Sequence, residues 1–159
     1  MLTPDVNVLV AAFRADHPHH GAARQWLLGQ LKASAVGSRL LLLPMVCVSF
    51  VRLVTHRRIF DVPATAEEAF AFVEALLADP GSEMPQLGRE WAAFVALCSG
   101  KALAGNLVQD AWIAAAARAA GATLVTFDRD FESLLGPHEL LLLLPAAAST
   151  AAKPSARRS

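Results

Sequence analysis

Among the side chains of this 159-residue chain that could do chemistry, the aspartates stand out by position. Asp5 closes a short opening stretch. Asp128 follows the apolar run Thr123 to Phe127, with Asp130 two residues on. Asp110 falls about one turn into a helical pattern that starts after Asn106. Its i+4 and i+7 neighbours, Ala114 and Ala117, make its helix face nearly flat, so other backbone can come close. Carboxylate oxygens of this kind suit Mg²⁺ or Mn²⁺, which take few protein carboxylates and keep several waters. Gathered without a cation, the same groups repel and raise each other's pKa. Each acid alone also has a structural reading: Asp5 and Asp128 as helix N-caps, Asp130 as a helix-dipole partner, Asp110 as a solvated helix residue. The chemical reading rests on their convergence.

Convergence requires elements that bring them together. A strand ending at Asp5 runs into a helical pattern over Val6 to Ala15. Asp16 and Pro18 restart a helix through Ala23, Trp26, Leu27 and Leu31, broken by Gly37 and Ser38. Arg39 to Leu43, ended by Pro44, reads as a strand buried on both faces. Met45 to Arg58 follows as a helix. Thr65 and Glu68 have capping-box spacing for a helix to about Ala78. Ser82 to Met84 is a short strand, and Leu87 to Ser99 a helix. Asn106 reads as the N-cap of a helix through Ala120, with Gly121 at C′. Thr123 to Phe127 is a strand, Asp128 to Leu134 a short helix and Leu140 to Leu144 a final strand. Strands alternating with helices predict an α/β/α sandwich on a mainly parallel sheet of about four to five strands. In such sheets, sites form outside the carboxyl ends of the strands, where Asp5 and Asp128 fall. One domain over residues 1–145 is expected, followed by a disordered tail, 146–159, of Ala, Ser, Thr, Lys, Pro and Arg.

Composition narrows the class. Fourteen basic and fourteen acidic residues cancel, and 55% of the chain is hydrophobic, which excludes a disordered protein. No apolar run reaches the ~18–20 residues of a membrane span, and the start lacks a basic leader region, so a cytoplasmic domain without membrane attachment is expected. Cys47 and Cys98 form no metal set and suit the core. The zero hides a pattern: residues 17–60 carry six bases (Arg24, Lys32, Arg39, Arg52, Arg57 and Arg58) and no acid, whereas residues 61–146 carry twelve acids and four bases. The basic segment is the natural path for a polyanion. His56, Arg57 and Arg58 suit phosphate contacts as well as a solvated helix end, and Arg52 either phosphate or an acid at the site edge. His17, His19 and His20 read as an exposed helix start, and Trp26, Trp91 and Trp112 as core or interface residues.

The opening Leu2-Thr-Pro-Asp5-Val-Asn7-Val-Leu-Val resembles that of PIN domains. Phe50-Val-Arg52-Leu-Val-Thr55-His-Arg-Arg58-Ile-Phe60, Gly105-Asn-Leu-Val-Gln-Asp110-Ala and Gly121-Ala-Thr-Leu-Val-Thr126-Phe-Asp128-Arg-Asp130-Phe131 resemble the later blocks, in order, over about residues 1–145. The resemblance is strongest to VapC-like toxins of actinobacteria. It implies an endoribonuclease that needs Mg²⁺ or Mn²⁺, with Asp5, Asp110 and Asp128 as metal-site acids, Asp130 close by, and Asn7 and Thr126 bracing them. It implies in-line attack on an RNA phosphodiester, tRNA or rRNA, by a metal-activated water. It also implies a small VapB-like antitoxin as partner, and a homodimer is expected from the apolar helices around 45–60 and 65–78. One position departs from the family: many members carry Glu directly before the Phe-Val-Arg motif, where this chain has Ser49, a residue that ligates only weakly or through water.

Other Asp-led folds fit less well. A haloacid-dehalogenase-like phosphatase needs a second acid two residues after the first, and Asn7 cannot give a proton. A receiver domain needs a late lysine that Lys32, Lys101 and Lys153 do not supply. A catalytically weakened PIN fold, binding RNA or protein as a module, stays open as the alternative because of Ser49.

Overall fold

The computed structural model describes residues 1–144; the tail expected at 146–159 lies outside them. Leu2–Pro4 forms β1 and pairs in parallel with β4, Thr123–Thr126, placing Leu2 beside Thr123 and Pro4 beside Val125. On its other side β1 pairs with β2, Leu40–Leu41. The edges are β3, Ser82–Glu83, beside β2, and β5, Leu140–Leu142, beside β4. All four pairings are parallel and the order is β3-β2-β1-β4-β5, the mainly parallel sheet of four to five strands that the alternation of elements predicts.

Helices make the crossovers. α1 (Val6–Phe13) and α2 (His20–Ala33) join β1 to β2, and α3 (Pro44–Val54) and α4 (Ala66–Leu77) join β2 to β3. The chain then returns past β1 to β4 through α5 (Trp91–Lys101) and α6 (Asn106–Ala119). Because such crossovers are right-handed, this reversal sets α1–α4 on one face of the sheet and α5–α6 on the other. It also makes the β1/β4 gap the point where strand order reverses, so a crevice opens at their carboxyl ends.

The core explains the sequence pattern. Leu40, Leu41, Leu42 and Leu43 are all at most 1% exposed, as a strand covered on both faces requires. Phe50 of α3 meets Phe13 of α1 edge-on at 5.4 Å and Phe72 of α4 at 5.4 Å, a ring cluster that ties three helices together. On α6, Ala111, Ala114, Ala115 and Ala117 are fully buried, so short side chains seat this helix close to the sheet. The capping box of α4 is complete: Thr65 accepts from the Glu68 amide and Glu68 accepts from the Thr65 amide. Among the described residues no helix is long and apolar enough to cross a membrane.

Several boundaries differ from expectation. α3 stops at Val54, not Arg58: the Thr55 hydroxyl donates back to the Val51 carbonyl and His56 Nδ1 accepts from the Arg58 amide, bonds that build a turn in place of another helical turn. α5 starts at Trp91, not Leu87, because Gly88 at φ +121° lies outside helical backbone. Asn106 is the first residue of α6 and not its cap; Gly105, at φ +62°, precedes it without a side-chain cap bond. The segment after Asp128 is a 3-10 helix, Arg129–Ser133. Cys47 is buried as expected, while Cys98 is half-buried. Trp26 and Trp112 are half-buried against the core. Trp91 is 64% exposed, since it opens a helix with no buried residue.

Candidate active site

Two loops at the switch point build the site. Asp5 leaves β1 and caps α1, accepting the Val6 amide at 2.6 Å. Asp128 leaves β4 and caps the 3-10 helix through the Asp130 amide at 2.8 Å. Both helix-cap readings are therefore true, of Asp5, which also faces the crevice, and of Asp128 beside it. The hydroxyl of Thr126, fully buried between them, donates to Asp5 Oδ2 at 2.9 Å and accepts from Asn7 Nδ2 at 2.8 Å and from the Asp128 amide at 3.0 Å. Asn7 Oδ1 in turn accepts from the Phe127 amide at 3.2 Å. One hydroxyl thus fixes the first acid, its brace and the backbone of the third acid, across about 120 residues of sequence.

Asp110 comes from α6. Asn106, Gln109, Asp110 and Ile113, spaced i, i+3, i+4 and i+7, present one helix face to a cleft of about 400 Å³. Asp5 and Asn7 line the opposite side, with Ser49 and Arg52 of α3. Asp128 and Asp130 do not line this cleft, yet their charges reach it. Asp5 is pushed up to about 6, first by burial and then by Asp110 and Asp128, against the lowering effect of its bonds from Thr126 and Val6. Asp110 is raised in the same direction by burial, Asp128 and Asp130. Asp130 itself is exposed at the edge.

Among the described residues, no three His, Cys, Asp or Glu side chains converge closely enough to cage an ion. Asp5 is held by its two bonds, from the Val6 amide and the Thr126 hydroxyl. The donor set fits a hard divalent ion that takes one or two carboxylates and fills its remaining positions with water.

Other residues marked in the sequence lie elsewhere. Ser49 is buried and accepts from Gln109 Nε2 at 2.7 Å, so its hydroxyl is tied to α6. Arg52 is exposed at the cleft and forms no ion pair among the described residues. His56, Arg57 and Arg58 sit on the turn after α3, outside the cleft. Arg39 does not belong to a path along the site. It precedes β2 at the amino end of the sheet, away from the acids, and pairs with Glu83. His17 is half-buried and lines the cleft, so the histidines are not merely an exposed helix start: the turn from Arg14 to His20 folds back over α1. Sequence reasoning missed Gln109, although its spacing from Asn106 and Ile113 marks the same face as Asp110.

Known proteins resemble this chain in sequence and fold. A family model described as PIN domain matches residues 2–135. Ribonuclease VapC31 of Mycobacterium tuberculosis is 40% identical over 132 residues, covering 82% of this chain and 91% of its own length. Ribonuclease VapC25 of the same organism is 39% identical with the same coverage, and ribonuclease VapC43 is 41% identical over 133 residues, 82% of this chain and 88% of its own. Two solved structures share the fold at 19% identity. One is VapBC2 from Rickettsia felis bound to a DNA fragment from its promoter, with a TM-score of 0.63 over 89% of this chain and 98% of that one. The other is Mycobacterium tuberculosis VapC20, a sarcin-ricin loop cleaving toxin, with a TM-score of 0.59 over 84% and 94%. With a family match that spans most of the described residues and relatives near 40% identity over four fifths of the sequence, this chain belongs to the PIN-domain family, in its VapC branch.

Proposed function

We propose that this chain is a Mg²⁺- or Mn²⁺-dependent endoribonuclease, the toxin of a type II toxin–antitoxin pair. The observation that carries the reading is the buried Asp5 carboxylate, pushed up to about 6 in a crevice it shares with Asp110 and whose charge Asp128 reinforces. Such a set is stabilised by a cation, and the relatives' names supply ribonuclease as the activity. Asp5, Asp110 and Asp128 would hold the ion, with Asp130 as a nearby charge. When bound, the ion supplies Lewis acidity that lowers the pKa of a water and offsets charge on the phosphate. Thr126 and Asn7 hold Asp5 and the Asp128 backbone in place. Ser49, tied to Gln109, shapes the wall between α3 and α6. Arg52 takes a phosphate oxygen at the rim.

The test is cleavage of tRNA and rRNA by the purified chain. Cleavage is expected with Mg²⁺ or Mn²⁺, is lost in EDTA, returns on adding the ion back, and falls to background in Asp110→Asn. RNA binding without cleavage under all of these conditions decides instead for the binding module, which Ser49 in place of an acid favours.

Arg57 and Arg58, exposed beside the half-buried His56, lie beyond the cleft and extend the RNA track. Each single-stranded phosphate contact contributes about 0.7 to the slope of log K against log salt. The double change Arg57→Ala/Arg58→Ala is expected to flatten that slope by about 1.4, measured by RNA binding in EDTA between low and physiological salt. An unchanged slope removes them from the RNA path.

A cytoplasmic toxin needs a restraint, and a VapB-like antitoxin is the partner this reading supplies. Val48 on α3 and Phe70 on α4 are 69% and 56% exposed, apolar surface that suits a partner helix and a second copy of the chain as a homodimer.

A further inference from the structure

The His17-Pro-His19-His20 cluster is unused by the acids and is not a metal set. His20 Nδ1 lies 2.9 Å from the Ala11 carbonyl, which only accepts, so Nδ1 carries the proton and ties the ring to α1, and among the described residues no three such side chains gather as an ion site. His19 stacks on Phe127 at 4.7 Å and 25°, and its amide donates to His17 Nδ1 at 3.1 Å. Phe127 directly precedes Asp128. The turn is pinned to α1 by one histidine and to the loop after β4 by the next.

His17 is the one that lines the acid cleft. Its backbone is held at both ends: its amide donates to the Arg14 carbonyl at 3.1 Å, and its carbonyl accepts the His20 amide at 2.9 Å. A neutral imidazole that accepts at Nδ1 carries its proton on Nε2. Burial and the neighbouring His19 hold its pKa below the ordinary value, so the ring is neutral at neutral pH. Few donors in the cleft are free for a phosphate: Asp5 and Asp110 repel it, Asn7 Nδ2 is committed to Thr126 and Gln109 Nε2 to Ser49, and Arg52 and Asn106 are exposed at the rim. A neutral N–H on the remaining wall can hold a phosphate oxygen without placing another full positive charge beside a bound cation.

We propose that His17 is a substrate-contacting residue whose Nε2–H donates to a non-bridging oxygen of the phosphate seated over Asp5 and Asp110. This rests on the nuclease reading above. It separates cleanly from a purely structural role, because the two ring nitrogens do different things. His17→Asn keeps an oxygen where Nδ1 accepts the His19 amide, preserving the turn, but lacks the reach of Nε2. His17→Gln loses that local acceptor and keeps an N–H near the Nε2 position.

The experiment measures single-turnover cleavage of a tRNA substrate with Mn²⁺ for wild type and both variants, alongside their melting temperatures. His17→Asn is expected to fold normally and to cleave about 10–100-fold more slowly, the loss of one hydrogen bond to a charged group, while His17→Gln stays within about threefold. The opposite order, wild-type cleavage by His17→Asn, or equal losses in both variants overturns the proposal. A long-range ¹H–¹⁵N spectrum of the wild-type imidazoles stands apart from folding of the variants: an Nε2–H tautomer at His17 is expected, and an Nδ1–H tautomer overturns it. An inactive wild type is instead the failure of the nuclease reading, and takes this role with it.

Discussion

Asp5→Asn is expected to abolish cleavage and, in the metal-free protein at neutral pH, to melt at a higher temperature than wild type. The loss of activity follows from removing a carboxylate of the proposed metal site, whose charge-stabilising role amounts to several kcal/mol, on the order of 10³-fold in rate. The gain in stability follows from burial. Asp5 is pushed up to about 6 from the ordinary carboxylate value of 3.8. Below pH 4 it is protonated both folded and unfolded and costs nothing. Between 4 and 6 the folded chain binds a proton that the unfolded chain has lost, so stability falls as pH rises. Above 6 the cost is complete, about 3 kcal/mol for a shift of this size. Asparagine carries no such charge, but its amide nitrogen leaves the Thr126 hydroxyl without its acceptor, so the net gain is about 1–2 kcal/mol, a few degrees for a chain of this length. The difference should shrink as pH falls below 6, pass through zero, and reverse near pH 4, where only the lost Thr126 bond remains. Adding Mn²⁺ should raise the melting temperature of wild type and leave the variant unmoved. A variant that is both inactive and less stable at pH 7 defeats this account of Asp5.

Thr126→Val is the second large effect, of opposite sign in stability. Valine fills the same volume and removes one hydroxyl that three groups share. The buried Asp5 carboxylate loses its donor, Asn7 Nδ2 and the Asp128 amide lose their acceptor, and each orphaned group costs about 1–3 kcal/mol. A loss of about 3–5 kcal/mol by urea denaturation is expected at pH 7. Because the Thr126 bond is what lowers Asp5, its removal raises that carboxylate further. The deficit therefore shrinks as pH falls and Asp5 takes up its proton. Cleavage should drop about 10–100-fold in the protein that still folds, the usual consequence of losing the group that orients a ligand. Thr126→Ser keeps the hydroxyl and should restore both properties; if it behaves like valine, the hydroxyl is not the joint.

The acids were legible in the sequence because chemistry and local structure agree there. Asp5 and Asp128 follow apolar strand runs and precede helices, so position alone points to the carboxyl edge of a parallel sheet. Strand order was not legible from any local pattern: β1 lies between β2 and β4 only because the crossovers reverse. His17 was missed for a related reason. Its neighbourhood reads as a polar helix start, and nothing nearby in sequence shows that His19 would find Phe127, more than a hundred residues on, to stack against. Arg39 failed in the other direction: charge along a chain says nothing about which end of a strand a residue occupies, and this one faces Glu83. Helix ends were misjudged where a side chain competed for backbone, as Thr55 and His56 do after α3.

The joint at Thr126 has a consequence in time as well as in space. β1 can meet β2 when some forty residues have been made, but Asp5 and Asn7 wait for a hydroxyl about 120 residues further along the chain. A growing polypeptide therefore carries its first acid, and later Asp110, without an assembled centre until β4 emerges and slots in beside β1. The crevice is assembled only when β4 pairs with β1, after the residues of all six α-helices have been made.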